Sequence, residues 1–322
     1  MNQFHLFPPQ ASTTAQQVDW LFFTLTGVTL FFCTVVFVPI LFFAIKYRRG
    51  SKADRSNAWS GSLLLESGWT LLPLLIGIGL FGWGAVIYFG MERLPPDALQ
   101  VQVVGKQWMW KLQHAEGKRE INELHVPVGQ TVALTMTSQD VIHSFYIPAF
   151  RVKQDVLPGK YTGEWFKATR PGEYHLFCAE YCGTSHSGMI GRVVVMEPLE
   201  YAKWLNTGES GETTALAGGR LFRERGCSGC HSANSHIHAP LLEGIYRKPV
   251  ALADGTVIQA ADQYLRDSIL LPGKQISAGY ENIMPSYTGQ LSEEEIMQLI
   301  AYLKSIGNKQ ASGQEVGATE PR

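Results

Sequence analysis

Two long stretches, residues 20–45 and 67–91, run without a single charged side chain. Each exceeds the ~20 apolar residues that a helix needs to cross a bilayer, so the pattern predicts a two-helix transmembrane hairpin. The first stretch begins behind a polar-leaning segment and is too long for the apolar part of a cleaved leader. The period then changes. Between residues 98 and 196, β-branched runs at 101–104, 131–136 and 192–196 are punctuated by Pro127, Gly129, Pro158, Gly159, Pro171 and Gly172. Short strands with turn signals between them predict a sandwich or barrel. Residues 205–218 are small and polar and read as a linker. Beyond them the pattern turns helical. Ser292 and Glu295 have capping-box spacing, Leu291 and Ile296 form the matching hydrophobic staple, and Ile296, Leu299, Leu303 and Ile306 line one helix face. The domain plan is a tail and hairpin over 1–94, a β domain over 95–203, a linker over 204–217, a helical domain over 218–307 and a flexible tail over 308–322.

Charge adds an orientation. The net charge of −1 leaves no electrostatic footprint for nucleic acid, and that class is set aside. Lys46, Arg48, Arg49, Lys52 and Arg55 crowd the loop between the two stretches, and no Lys or Arg precedes them. Positive loops stay on the cytoplasmic side. Both ends of the hairpin, and everything after about Leu94, are therefore expected outside. Four of the five cysteines fall in that exported part, in two close pairs. Cys33, in the first span, reads as a small apolar filler.

The first pair opens a dense ligand set. Cys178, Cys182, His186 and Met189 follow one another within a single loop between two strand-like runs, and His143 lies in an earlier one. Thiolate, imidazole and thioether together suit copper, with Met as a weak axial ligand that tunes the potential. Two cysteines supply more sulfur than one blue-copper ion needs, which points to two coppers sharing both thiolates. A disulfide is chemically open to the pair in an oxidising compartment, but it has no use for His186 and Met189 at ligand spacing. Zinc sites are usually filled by Cys and His, and thioether suits them poorly.

The second pair reads Cys227-Ser-Gly-Cys230-His231, the signature for covalent attachment of a c-type haem. The thiols would add to the haem vinyl groups and His231 would bind the iron. A thioredoxin-like thiol pair is the competing reading; an exported helical context favours haem. Met284, before Pro285 in a loop ahead of the last helix, is the expected sixth ligand, since a Met partner is the usual complement to His. His236 and His238 compete for that place but lie close to the motif.

Two spans, a β domain with His143 and the 178–189 loop, and a C-terminal Cys-x-x-Cys-His unit resemble subunit II of haem–copper cytochrome c oxidases with a fused class I cytochrome c. The resemblance covers about residues 15–307. It implies an all-β cupredoxin-like Greek-key barrel followed by an all-α cytochrome c domain. It also implies the dinuclear copper centre called CuA, bridged by Cys178 and Cys182, with His143, His186 and Met189 as further ligands and the Glu180 carbonyl as another. The Glu180 side chain would reach a magnesium ion shared with subunit I. Two softer matches are implied as well. Trp108, in the segment 105–110, resembles the tryptophan that passes electrons into the copper site, although Met109 stands where the family has an aromatic. Glu66 resembles the carboxylate at the mouth of a proton pathway into subunit I. Structural alternatives are a packed tryptophan and a carboxylate snorkelling at a span's end.

The function so implied is electron transfer from the haem through CuA to subunit I, which reduces dioxygen to water with proton translocation. Subunit III is a further expected partner, and the donor would be a cytochrome c or an upstream respiratory complex. The setting would be a bacterial inner membrane with both redox domains outside. Neither span offers the histidine cluster that dioxygen chemistry needs. A nitric oxide reductase subunit bearing CuA is one alternative. A membrane-anchored copper-delivery protein is another, but delivery uses an open site, and a closed one marks a permanent metal.

Overall fold

The computed structural model describes residues 7–56, 61–207 and 212–308. Helices α1 (Thr13–Lys46) and α2 (Leu63–Glu92) form the hairpin, and each is capped by a serine side chain, Ser12 on the Ala15 N–H and Ser62 on the Leu65 N–H. Their apolar side chains face outward, with 0% and 6% of the two spans buried. A helix that is apolar all round and uncovered needs lipid or a partner helix around it.

The outer end of α1 is tied to the β domain. Ala11 N–H donates to Ala149 O, Thr169 N–H donates to Ala11 O, and Asp19 takes both Nε and Nη2 of Arg151 at 2.8 and 2.9 Å. That pair is 9% and 4% exposed, and a forked contact of this kind fixes orientation as well as distance.

The β domain is two five-stranded sheets. One is ordered β3 (Arg119–Ile121), β2 (Met109–His114), β1 (Leu99–Lys106), β5 (Thr131–Ser138) and β8 (Thr162–Lys167). The other is ordered β4 (Glu123–Pro127), β10 (Ile190–Met196), β9 (Gly172–Cys178), β6 (His143–Ile147) and β7 (Val152–Val156). Alternate residues of β1 and β5 point inward to meet Phe145, Ile147 and Leu176 from the other sheet, around fully buried Trp110, Phe150 and Phe166. Each such side chain contributes about 1.5–3 kcal/mol on burial. The parallel pairs β1/β5 and β4/β10 rule out a simple up-and-down meander. The fold is cupredoxin-like.

Helix α3 (Pro198–Asn206) comes next and packs Tyr201 and Trp204 on His114 and His125. Helix α4 (Thr214–Glu224), α5 (Asp262–Leu270) and α6 (Glu293–Asn308) build a second, helical core. A small hairpin, β11 (Pro249–Ala251) and β12 (Val257–Gln259), adds to the helical unit. The capping box is realised in both directions: Glu295 N–H donates to Ser292 Oγ, and Ser292 N–H donates to Glu295 Oε2. Helix α4 starts at Thr214, four residues ahead of the stretch the sequence marks as helical, because the Thr213 side chain caps it. Its small residues serve packing rather than flexibility. A Cβ on Gly218 would fall 1.9 Å from Gln298 O, so glycine lets α4 cross α6 closely. The middle of the expected linker and the expected tail beyond Asn308 lie outside the described residues.

Candidate metal centre and haem crevice

The loop between β9 and β10 carries its ligands on a fixed frame. Cys178 ends β9, His186 opens a single 3-10 turn, and Met189 immediately precedes β10. The adjacent strand β6 begins with His143. Backbone bonds from Cys178 N–H to Met189 O and from Ala179 N–H to Ser144 O close the loop on both neighbours.

These residues converge. The two sulfurs stand 3.8 Å apart and unbonded; Cys182 Sγ lies 3.4 Å from His186 Nδ1 and 3.8 Å from Met189 Sδ, and Cys178 Sγ lies 3.9 Å from His143 Nδ1. Donor atoms of His143, Cys178 and Cys182 all lie within 4.8 Å of one another. The Glu180 carbonyl, 3.2 Å from Cys178 Sγ, points at the same place, while the Glu180 side chain is exposed.

The electrostatics call for cations. Burial alone would raise the Cys178 thiol, but the His143 ring and the backbone around it outweigh burial and draw it down to about 6. Burial, followed by the charge of Cys178, pushes Cys182 up to about 12. A second thiolate is costly beside the first unless positive ions neutralise both. The donor set therefore fits a pair of soft cations such as copper.

Two supporting residues were not anticipated from the sequence. Asp140 takes the Nε2–H of His143 at 2.8 Å, which leaves Nδ1 free to face the sulfurs. The same carboxylate accepts the Gln107 N–H at 2.7 Å, and Gln107 Nε2 donates to Cys182 O at 2.8 Å. Trp108 Nε1 reaches that carbonyl too, at 3.2 Å. Gly183, at φ +115°, permits this approach, since a Cβ there would lie 2.9 Å from Gln107 Nε2. A carboxylate three residues before a ligand histidine was the available signal for Asp140. Trp110 is fully buried, edge-on to His143 at 5.8 Å. Glu66 is elsewhere. It sits exposed in the first turn of α2, about 40 Å along the helix from the β domain.

In the helical unit, Cys227, Cys230, His231 and Met284 line one apolar cavity of ≈200 Å³. His231 Nδ1 donates to Pro240 O at 2.8 Å, which orients the ring and leaves Nε2 available. This donor set fits a haem attached through two thiols with a nitrogen ligand and a thioether. His238 also lines the cavity, but its ring stacks on Tyr280 and its Nε2 lies 3.2 Å from Gly279 O. His236 is exposed and is not part of the lining.

Comparison with known proteins agrees with this division. A family described as "Cytochrome C oxidase subunit II, periplasmic domain" matches residues 117–197, and one described as "Cytochrome c" matches residues 215–307. Cytochrome c oxidase subunit 2 of Alkalihalophilus pseudofirmus is 30% identical over 308 residues, covering 90% of this chain and 88% of the relative. The subunit 2 of Thermostichus vulcanus is 32% identical, covering 62% of this chain and 77% of the relative. The crystal structure of the periplasmic domain of subunit II of cytochrome oxidase from Bradyrhizobium japonicum is 32% identical, with a TM-score of 0.35, covering 36% of this chain and 96% of that one. With a soft-ligand loop in its outward β domain, a thiol-lined crevice in its helical unit and a relative matched along nearly its whole length, the chain belongs to the cytochrome c oxidase subunit 2 family, in the form that carries a cytochrome c domain.

Proposed function

We propose that this chain is the electron-input subunit of a respiratory terminal oxidase. It takes electrons at a covalently bound haem c and delivers them through a dinuclear CuA centre to subunit I, which reduces dioxygen to water with proton translocation. The observation that carries the reading is the convergence of two thiols, two imidazoles and a thioether in the β domain of a chain that also holds a haem crevice. Two coppers held by these donors would supply reversible single-electron exchange with little ligand movement.

The chain's own residues have distinct tasks. Cys178, Cys182, His143, His186 and Met189, with the Glu180 carbonyl, would hold the two coppers, and the Met189 thioether would be the weakest donor among them. Asp140 keeps the His143 ring in one tautomer by accepting its Nε2–H. Trp108, hydrogen-bonded to the Cys182 carbonyl, is the route into the copper site. Cys227 and Cys230 would tether the haem, and His231 and Met284 would supply the nitrogen and thioether that hold its iron. The exposed Glu180 carboxylate is free to reach a magnesium ion at the border with subunit I. Glu66, in the first turn of α2 at the end away from the β domain, would be the proton-accepting carboxylate on the cytoplasmic side. Subunit III, a cytochrome c or upstream-complex donor and a bacterial inner membrane complete the setting.

Copper delivery fits the site less well. His143, Cys182 and Met189 are 0%, 2% and 1% exposed, which closes the ligands to exchange. The test is electron paramagnetic resonance on the oxidised full-length chain with copper and haem bound. An unpaired electron shared over two coppers supports the reading; a signal from one localised copper contradicts it.

A further inference from the structure

The two cores are joined by polar contacts. Gln102 Nε2 of β1 donates to Met297 O of α6 at 3.2 Å, and Tyr161 N–H donates to Gln263 Oε1 of α5 at 2.9 Å. Arg266 of α5 donates to Gly159 O at 3.0 Å. Between these contacts lie a cavity of ≈210 Å³ and a groove of ≈630 Å³, each with walls from both units. Gln102 Oε1, Tyr161 OH and Asp262 Oδ1 line the first without a protein partner, and Gln113 Nε2 does the same in the second. Buried polar atoms in roomy polar spaces are satisfied by water. A seam crossed by polar contacts and lined by unpartnered polar atoms resembles interfaces that part and re-form, rather than a core.

One side chain in this seam stands apart. Glu294, in the first turn of α6, uses both carboxylate oxygens across it: Oε1 takes Lys111 Nζ of β2 at 2.8 Å, and Oε2 takes Gln139 Nε2 at 2.8 Å. Lys111 Nζ also donates to Gln139 Oε1 at 3.3 Å, closing the ring. The residue after Gln139 is Asp140, which holds His143 and the backbone next to Trp108. A two-residue segment thus grips the cytochrome domain on one side and a copper ligand on the other.

The geometry points to Glu294 as a positioning residue that seats the cytochrome domain on the β domain and, through Gln139 and Asp140, sets the orientation of His143 at the copper site. This rests on the electron-input reading above. Docking of the haem-bearing unit and the shape of the copper site are then one linked event, weakened by salt because the Lys111–Glu294 pair is partly exposed.

The test compares full-length, doubly loaded wild type with Glu294→Ala, Glu294→Gln and Glu243→Gln. The last removes an exposed carboxylate of the cytochrome domain that lines neither space of the seam. Two readouts are needed: amide hydrogen exchange over residues 139–143, and the proton hyperfine lines of the His143 ring. Glu294→Ala is expected to speed exchange by about fivefold, the scale set by a part-exposed ion pair, and to move the His143 lines. Glu294→Gln, whose amide still reaches Gln139, restores most of both, and Glu243→Gln changes neither. Wild-type exchange and lines in Glu294→Ala would overturn the proposal, as would faster exchange with unmoved lines. A wild type without a two-copper signal would instead overturn the electron-input reading, a failure separate from any answer on exchange.

Discussion

The copper-ligand loop and the haem crevice solve one problem, holding soft ligands around a redox centre, by opposite means. In the β domain the candidate ligands are held by strands and hydrogen bonds of the protein itself. His143, Cys178, Cys182 and Met189 are at most 8% exposed and His186 is half-buried, and the loop is held between β6, β9 and β10 with Asp140 on the His143 ring and Gln107 on the Cys182 carbonyl. In the helical unit the ligands are only half-buried and surround a cavity, with Leu265, Ile269 and Leu303 of the core lining its wall. A metal ion small enough to be wrapped by side chains lets the protein finish its own core. A large apolar cofactor becomes part of the core, so the protein leaves space for it.

The sharpest way to break this contrast is to deny each half its cofactor. Replacing Cys227 and Cys230 together by serine is expected to cost the helical unit its cooperative melting transition, while the β domain melts as before. Calorimetry of the two transitions checks this, and two unchanged transitions would dissolve the contrast. Cys182→Ser should abolish the shared-electron copper signal yet leave the haem absorption and the β-domain transition close to wild type. A β domain that unfolds in that variant would mean that copper, rather than the sandwich, holds the loop.

A smaller effect comes from the β domain's membrane side. Burial, with the nearby Glu92 adding to it, lifts the Glu164 carboxyl to about 7. The folded chain then binds a proton that the unfolded chain has already lost, so stability falls as pH rises from about 4.5 to about 7 and levels off above. Glu164→Gln should flatten that slope and stabilise the β domain at pH 8 by up to about 3 kcal/mol. An unaltered pH profile would show that Glu164 carries no such load. Smallest of all, Met189→Leu should leave copper bound and the fold intact but shift the copper potential, because the role proposed for the thioether is that of the weak ligand. A redox titration at the wild-type potential would remove Met189 from the ligand set.

What the sequence made legible was whatever is local. The spans, the capping box at Ser292 and Glu295, and the crowded 178–189 loop each announce themselves within a few turns of chain. Contacts between distant segments were hidden. The Asp19–Arg151 fork joins residues 132 apart, and Glu294 meets Lys111 across 183. No pattern marks these carboxylates among the many on the surface, because their partners are chosen by the fold. Asp140 was within reach at three residues from His143, yet a lone carboxylate before a strand is more often a turn residue. The small residues at the start of α4 misled for a physical reason, since glycine serves a close helix crossing as readily as a flexible linker.

The most direct measurement of electron transfer within the chain is rapid reduction of the haem in the oxidised full-length protein, read at haem and copper wavelengths together. The haem is expected to reoxidise as the copper centre takes up the electron, at one rate for both and independent of protein concentration. A haem that stays reduced beside oxidised copper, or a rate that grows with protein concentration, would contradict transfer within the chain.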